Sequence, residues 1–159
     1  MINAFGGGAT GYITRLEASG SAACRITLYD MLWKGGAYAF NAAVTGQTPT
    51  SFASRLPNTD YKGLELWYEQ VTASTGIQSV NVTYINQDGT TGRTTGVVSQ
   101  GMVGIVGRMT PLPLQAGDSG IQGVTGVAGS VATAGTFNIL VMRPLAEARI
   151  RVANDAVIQ

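Results

Sequence analysis

At 159 residues, with 10 Lys and Arg against 9 Asp and Glu, the chain fits one domain of net charge +1 and has no histidine. The basic residues are spread along the chain, which gives no pull toward nucleic acid or an anionic membrane, and the single Cys24 excludes an intrachain disulfide or a multi-cysteine zinc site. Charged residues make up only 12%, about half the usual share for a soluble domain, so part of the surface is expected to be covered by something else.

Met1–Gly11, with Gly6-Gly7-Gly8, reads as a flexible N-terminal arm with a small apolar tip at Ile2 and Phe5. A purely solvated tail has little use for those two side chains, so an arm that orders on a neighbouring subunit is weighed equally with a disordered terminus. The N-terminus lacks the basic and apolar regions of a leader, and no apolar run approaches the length that spans a bilayer, so synthesis and assembly in a cytoplasm are expected.

Tyr12–Ala18 and Cys24–Trp33 are the first predicted strands. In the second, Cys24, Ile26 and Leu28 alternate with Arg25, Thr27 and Tyr29, which predicts one face in the core and Cys24 as a small buried hydrophobe. Lys34–Asn41 interrupts the pattern with Gly35-Gly36 and reads as a loop carrying Tyr38 and Phe40. Thr50–Arg55 is a short strand candidate. Gly63–Thr72 alternates Leu64, Leu66 and Tyr68 with Glu65, Trp67 and Glu69, a half-buried strand with its acids facing outward.

Ser79–Asn86 turns Val80, Val82 and Tyr84 inward, and Gln87-Asp88-Gly89 supplies hairpin chemistry before Arg93–Ser99 returns. Ile105–Met109, Ile121–Val127 and Thr136–Arg143 follow as strands, with Pro111 and Pro113 marking an edge or crossover. Leu145–Val152 is open between a strand and a short helix. The segment after it, 153–159, reads as a C-terminal tail or the point at which a longer chain was cut. The whole predicts an all-β, antiparallel two-sheet sandwich of the jelly-roll or Greek-key type over residues 12–152, preceded by an extended arm at 1–11.

Gly117-Asp118-Ser119-Gly120 copies the surroundings of a serine nucleophile, but that chemistry takes its base from histidine, which the chain lacks. Neither Lys34 nor Lys62 stands in a recognisable setting to replace it, so 116–120 reads as a turn with Asp118 bonding backbone amides. Glu65 and Glu69, four apart on one strand, lie roughly 13 Å from each other, too far for a retaining glycosidase pair. Asp88 and Asp118 lack the companion acids of a calcium loop, and the glycine runs lack the Gly-Lys-Ser/Thr ending of a phosphate loop. Trp33, Tyr38, Tyr61 and Trp67 offer stacking faces for a sugar, although core or subunit packing is the commoner use of each.

Four ordered blocks, Leu64–Glu69, Val82–Thr94, Gly107–Gly120 and Gly135–Glu147, resemble a family of tailed-bacteriophage virion proteins. The resemblance covers somewhat over half of the chain and carries no catalytic signature. It implies a non-enzymatic virion structural protein without a cofactor or metal, located on the outer surface of the head, where a decoration or cement protein bridges neighbouring subunits. The partners so implied are the major capsid protein and further copies of the chain, as a homotrimer, with no nucleic acid and no membrane. Ile2, Phe5, Trp33, Tyr38 and Phe40 are the expected interface residues. A tail, baseplate or fibre module that binds a host glycan is the alternative.

Overall fold

The computed structural model describes residues 14–44, 52–56, 59–100, 105–129, 134–153 and 156–158. Among them run eleven strands: β1 (Glu17–Ser19), β2 (Cys24–Ala39), β3 (Ala43–Val44), β4 (Glu65–Gln70), β5 (Gln78–Asn86), β6 (Arg93–Thr94), β7 (Val98–Gln100), β8 (Met109–Leu112), β9 (Ile121–Gly129), β10 (Thr136–Ile150) and β11 (Ala156–Ile158). The protein is all-β, and one short 3-10 turn at Ala53–Arg55 is the helical element among the described residues.

The expected single domain divides into two compact units. One joins the chain up to Tyr29 with the chain from Leu145 onward, and the other is Asp30–Pro144. In the first, β1 pairs antiparallel with β11, Glu17 opposite Ile158, so the segment expected as a C-terminal tail contributes a strand. Ala18, Ala148 and Ile150 form its small core with Leu16 against them. Leu145–Ile150 resolves as strand because burial follows a period of two there: Ala148 and Ile150 are buried and Arg149 is exposed.

The larger unit contains two antiparallel sheets that share one core. The first has the order β2-β10-β4-β8, and the second β3-β9-β5-β6 with β7 also on β5. Leu66, Tyr68, Phe137, Ile139 and Val141 project from the first sheet and Val80, Val82, Tyr84, Ile121, Val124 and Val127 from the second into one apolar cluster, the arrangement of a β-sandwich. The alternations expected for Leu64–Tyr68, for Val80–Tyr84 and for Phe137, Ile139 and Val141 all hold, each of these residues being buried. Asn138, Leu140 and Met142 point the other way and are buried as well, because β10 runs between two neighbours in its sheet.

In β9 the period of two breaks. Tyr84 pairs with Val124 but Thr83 with Gly126, and Ile85 pairs with Gly123 but Asn86 with Ile121, so Thr125 and Gln122 are the extra residues of two bulges. Each bonds back to the partner side: Thr125 Oγ1 donates to the Thr83 carbonyl at 3.2 Å and Gln122 Nε2 to the Gln87 carbonyl at 2.9 Å.

Several local expectations are corrected. Residues 105–108 form a turn, closed by the Arg108 N–H on the Ile105 carbonyl with Gly107 at φ 81°, and the strand begins only at Met109. Pro111 lies in that edge strand, as its missing N–H requires. Ala53–Arg55 is a 3-10 turn instead of a strand. It sets Phe52 and Leu56 into the core while Arg55 reaches the Met31 and Leu32 carbonyls at 2.6 and 3.1 Å and Asp30 at 2.6 Å. Cys24 and Ile26 are exposed instead of buried, since among the described residues no apolar layer covers the alternation that opens β2. The expected loop 34–41 is strand as far as Ala39, because Phe40 is drawn into the core and holds the segment against the sheet.

Candidate functional site

The residues singled out from the sequence scatter over different environments. Ile2 and Phe5 lie outside the described residues. Phe40, expected as an anchor at a loop tip, is wholly buried and stacks on Phe137 with ring centroids 4.5 Å apart, so it is a core residue. Trp33 and Tyr38 are half-buried and come together over Gly35, where a Cβ would overlap the Trp33 ring and the Tyr38 hydroxyl. Tyr38 also tilts against Phe137 at 5.8 Å. The glycine pair thus acts by letting two aromatic rings close over the backbone.

On the face away from the core, three polar side chains from three successive strands of one sheet converge. Lys34 Nζ on β2 and Asn138 Nδ2 on β10 both donate to Oε2 of Glu69 on β4, at 2.7 and 2.8 Å. Asn138 faces Glu69 directly in the β10–β4 register. The Lys34 hydrogen bond, and after it that of Asn138, hold the Glu69 carboxyl below its usual range against the opposing effect of burial. One row along the same face, Trp67 stands opposite Leu140 and Pro111, and its Nε1 donates to Glu65 at 2.8 Å. Glu65 and Glu69 do lie on the face away from the core, each with a partner.

A second polar cluster closes one end of the other sheet. The carboxylate of Asp118 accepts from the Tyr84 hydroxyl at 2.6 Å, from Asn86 Nδ2 at 2.9 Å and from Arg93 Nε and Nη2 at 2.8 and 3.0 Å. Its side chain is 2% exposed against 25% for Arg93. Arg93 first, then Asn86 and Tyr84, bring the Asp118 pKa down to about 2, while burial acts the other way. The expected Asx-turn is therefore replaced by a side-chain brace, which ties the turn at 115–120 to β5 and β6. Ser119 is exposed, and its backbone N–H donates to Gln87 Oε1 at 2.9 Å.

Exposed aliphatic side chains mark the remaining surface. Ile105 and Val106 in the turn before β8, Met109 at its start, and Val97 between β6 and β7 are all well exposed. Strand β8 is the edge of its sheet, with β4 on one side. Among the described residues no group of three acids, cysteines or histidines is placed to hold a metal, and no helix is long and apolar enough to cross a membrane.

Sequence reasoning missed the Lys34–Glu69–Asn138 convergence and the Asp118 brace. For the first, the signal is Asn138, the one amide within the apolar run Phe137–Met142. For the second, no local signal exists, since its members come from three separate segments. No family model matches the chain, and neither a curated protein nor a solved structure matches it.

Proposed function

We propose that the chain is a non-enzymatic virion structural protein that binds the outer capsid surface and cements neighbouring capsid subunits. The observation that carries this reading is the exposed aliphatic group Ile105, Val106 and Met109 at the edge strand β8, on a chain of only 12% charged residues. Apolar side chains beside the edge strand of a sheet are a liability for a protein that stays alone and an asset for one that tiles a surface. The four sequence blocks that resemble phage virion proteins support the same reading. Each contact can be weak, because many copies engage one closed shell together. A jelly-roll or Greek-key connection of the sheets, a homotrimer that covers the edge strands and an attachment arm at 1–11 belong to this proposal.

The test is the number of copies per purified virion, by quantitative mass spectrometry against the major capsid protein. A number that scales with the capsid subunits supports the head location, and absence from the particle overturns the virion reading. Deleting residues 1–11 should lower occupancy on the particle while leaving the fold intact, and unchanged occupancy removes the arm from the proposal.

The half-buried rings of Trp33, Tyr38, Tyr61 and Trp67 support a second reading, a tail, baseplate or fibre module that binds a host glycan. It expects few copies per particle and loss of adsorption on Trp33→Ala or Tyr38→Ala.

A further inference from the structure

We propose that the folded chain joins Lys34 to Asn138 by an intramolecular isopeptide bond, with Glu69 as the group that carries the proton. Such a reaction needs an amine, a carboxamide and a carboxyl group that touches both, held together by a scaffold that excludes other partners. Lys34 Nζ and Asn138 Nδ2 lie 2.7 and 2.8 Å from the same oxygen of Glu69, which keeps the two nitrogens within two hydrogen-bond lengths of each other. The three residues stand on β2, β10 and β4, which are consecutive in one sheet, so the backbone ladder fixes their spacing.

Two further features fit the site. Asn138 is only 8% exposed, so its amide is largely sheltered from the water that would compete at its carbonyl carbon. Gly36 lies directly against it: a Cβ there would overlap Asn138 Oδ1, so the absence of a side chain is what allows the amide to lie against β2. Lys34 and Glu69 keep 43% and 27% of their side-chain exposure. The bond accumulates with time after folding.

The steps balance without an oxidant or a co-reactant. The Lys34 ammonium gives one proton to the Glu69 carboxylate, which leaves an amine and a carboxylic acid. The Nζ lone pair attacks Asn138 Cγ, a C–N bond forms, and the carbonyl electron pair moves to Oδ1, which the Glu69 acid stabilises. The attacking nitrogen loses a proton and the Cγ–Nδ2 bond breaks. Nδ2 leaves as ammonia, which takes up the released protons as ammonium and returns Glu69 to its carboxylate form. One ammonium ion is lost for each amide formed. The new amide ties β2 covalently to β10, independently of whether the protein belongs to a virion.

The experiment is the intact mass of the full chain, denatured after incubation under native conditions, followed by tryptic mapping. The expected result is a mass lower by one ammonia, a branched peptide that joins the Lys34 and Asn138 segments, and no cleavage after Lys34. Lys34→Arg and Glu69→Gln, each checked for folding by circular dichroism, should keep the mass of their sequences. An unmodified mass after prolonged incubation overturns the proposal, as does an ammonia loss that maps to a linear succinimide peptide. A crosslink that forms equally fast in denaturant or in Glu69→Gln removes the assigned role of the fold and of Glu69.

Discussion

The hydroxyl of Tyr84 serves two segments at once: it donates to Asp118 at 2.6 Å and accepts the backbone N–H of Gln115 at 2.8 Å. The ring below it is fully buried in the sandwich core, so one side chain links the core to the turn at 115–120. Tyr84→Phe keeps the ring and removes both bonds, which leaves a buried carboxylate oxygen and a backbone donor short of a partner. The expected loss is about 1–3 kcal/mol in the unfolding free energy, measured by urea denaturation at neutral pH.

Acid should act on the same cluster. Asp118 titrates near 3.8 when free and at about 2 in the folded chain, so its charge stabilises the fold fully above the ordinary aspartate range. That contribution falls as the pH drops below the unfolded value and is gone once the folded value is passed. Wild type should therefore melt above Asp118→Asn at neutral pH, and the gap should close as the pH approaches about 2. A gap that stays constant over the acid range would show that the carboxylate charge is not what holds the turn.

Gly129 is expected to be intolerant. A Cβ on it would overlap the backbone carbonyl of Phe40, whose segment bonds back through the Gly129 N–H on the Ala42 carbonyl at 3.1 Å. Backbone cannot swing aside as a side chain can, so Gly129→Ala should cost about 1–3 kcal/mol, read as a lower midpoint of chemical denaturation with an unchanged slope.

Core and surface substitutions should separate stability from attachment. Phe137 is fully buried against Phe40, Tyr38 and Tyr68, and Phe137→Ala should cost about 3–5 kcal/mol. Ile105 and Val106 are both well exposed, so Ile105→Ser and Val106→Ser should change stability by no more than about 0.5 kcal/mol. If the docking proposal holds, the same two variants lower occupancy on particles. Equal occupancy with wild type would place the contact elsewhere.

The sandwich was legible because its central strands obey a simple rule. Leu64, Leu66 and Tyr68 alternate with Glu65, Trp67 and Glu69, and Val80, Val82 and Tyr84 with Asn81 and Thr83, and a period of two has one structural meaning. What stayed hidden lies where tertiary contacts override local pattern. Phe40 follows a glycine pair that reads as a loop, yet its apolar ring finds Phe137 across the sheet and carries the segment into strand. Asp118 sits in turn sequence, and only the fold brings Tyr84, Asn86 and Arg93 to it. Cys24 and Ile26 show the opposite failure, an alternating run left exposed among the described residues.

The pairing of β1 with β11 gives protein synthesis a direction. Every partner that Asp30–Pro144 needs is emitted from the ribosome before the strand at Ala156–Ile158 exists, so the larger unit can fold while the chain is still being made. The smaller unit has no such option: Glu17–Ser19 cannot meet its strand partner until Ala156–Ile158 has been made. Chains held on the ribosome by a linker long enough to bring Pro144 just clear of the exit tunnel should therefore already protect β5 and β9 from proteolysis, while Glu17–Ser19 remains open to it until Ala156–Ile158 has emerged.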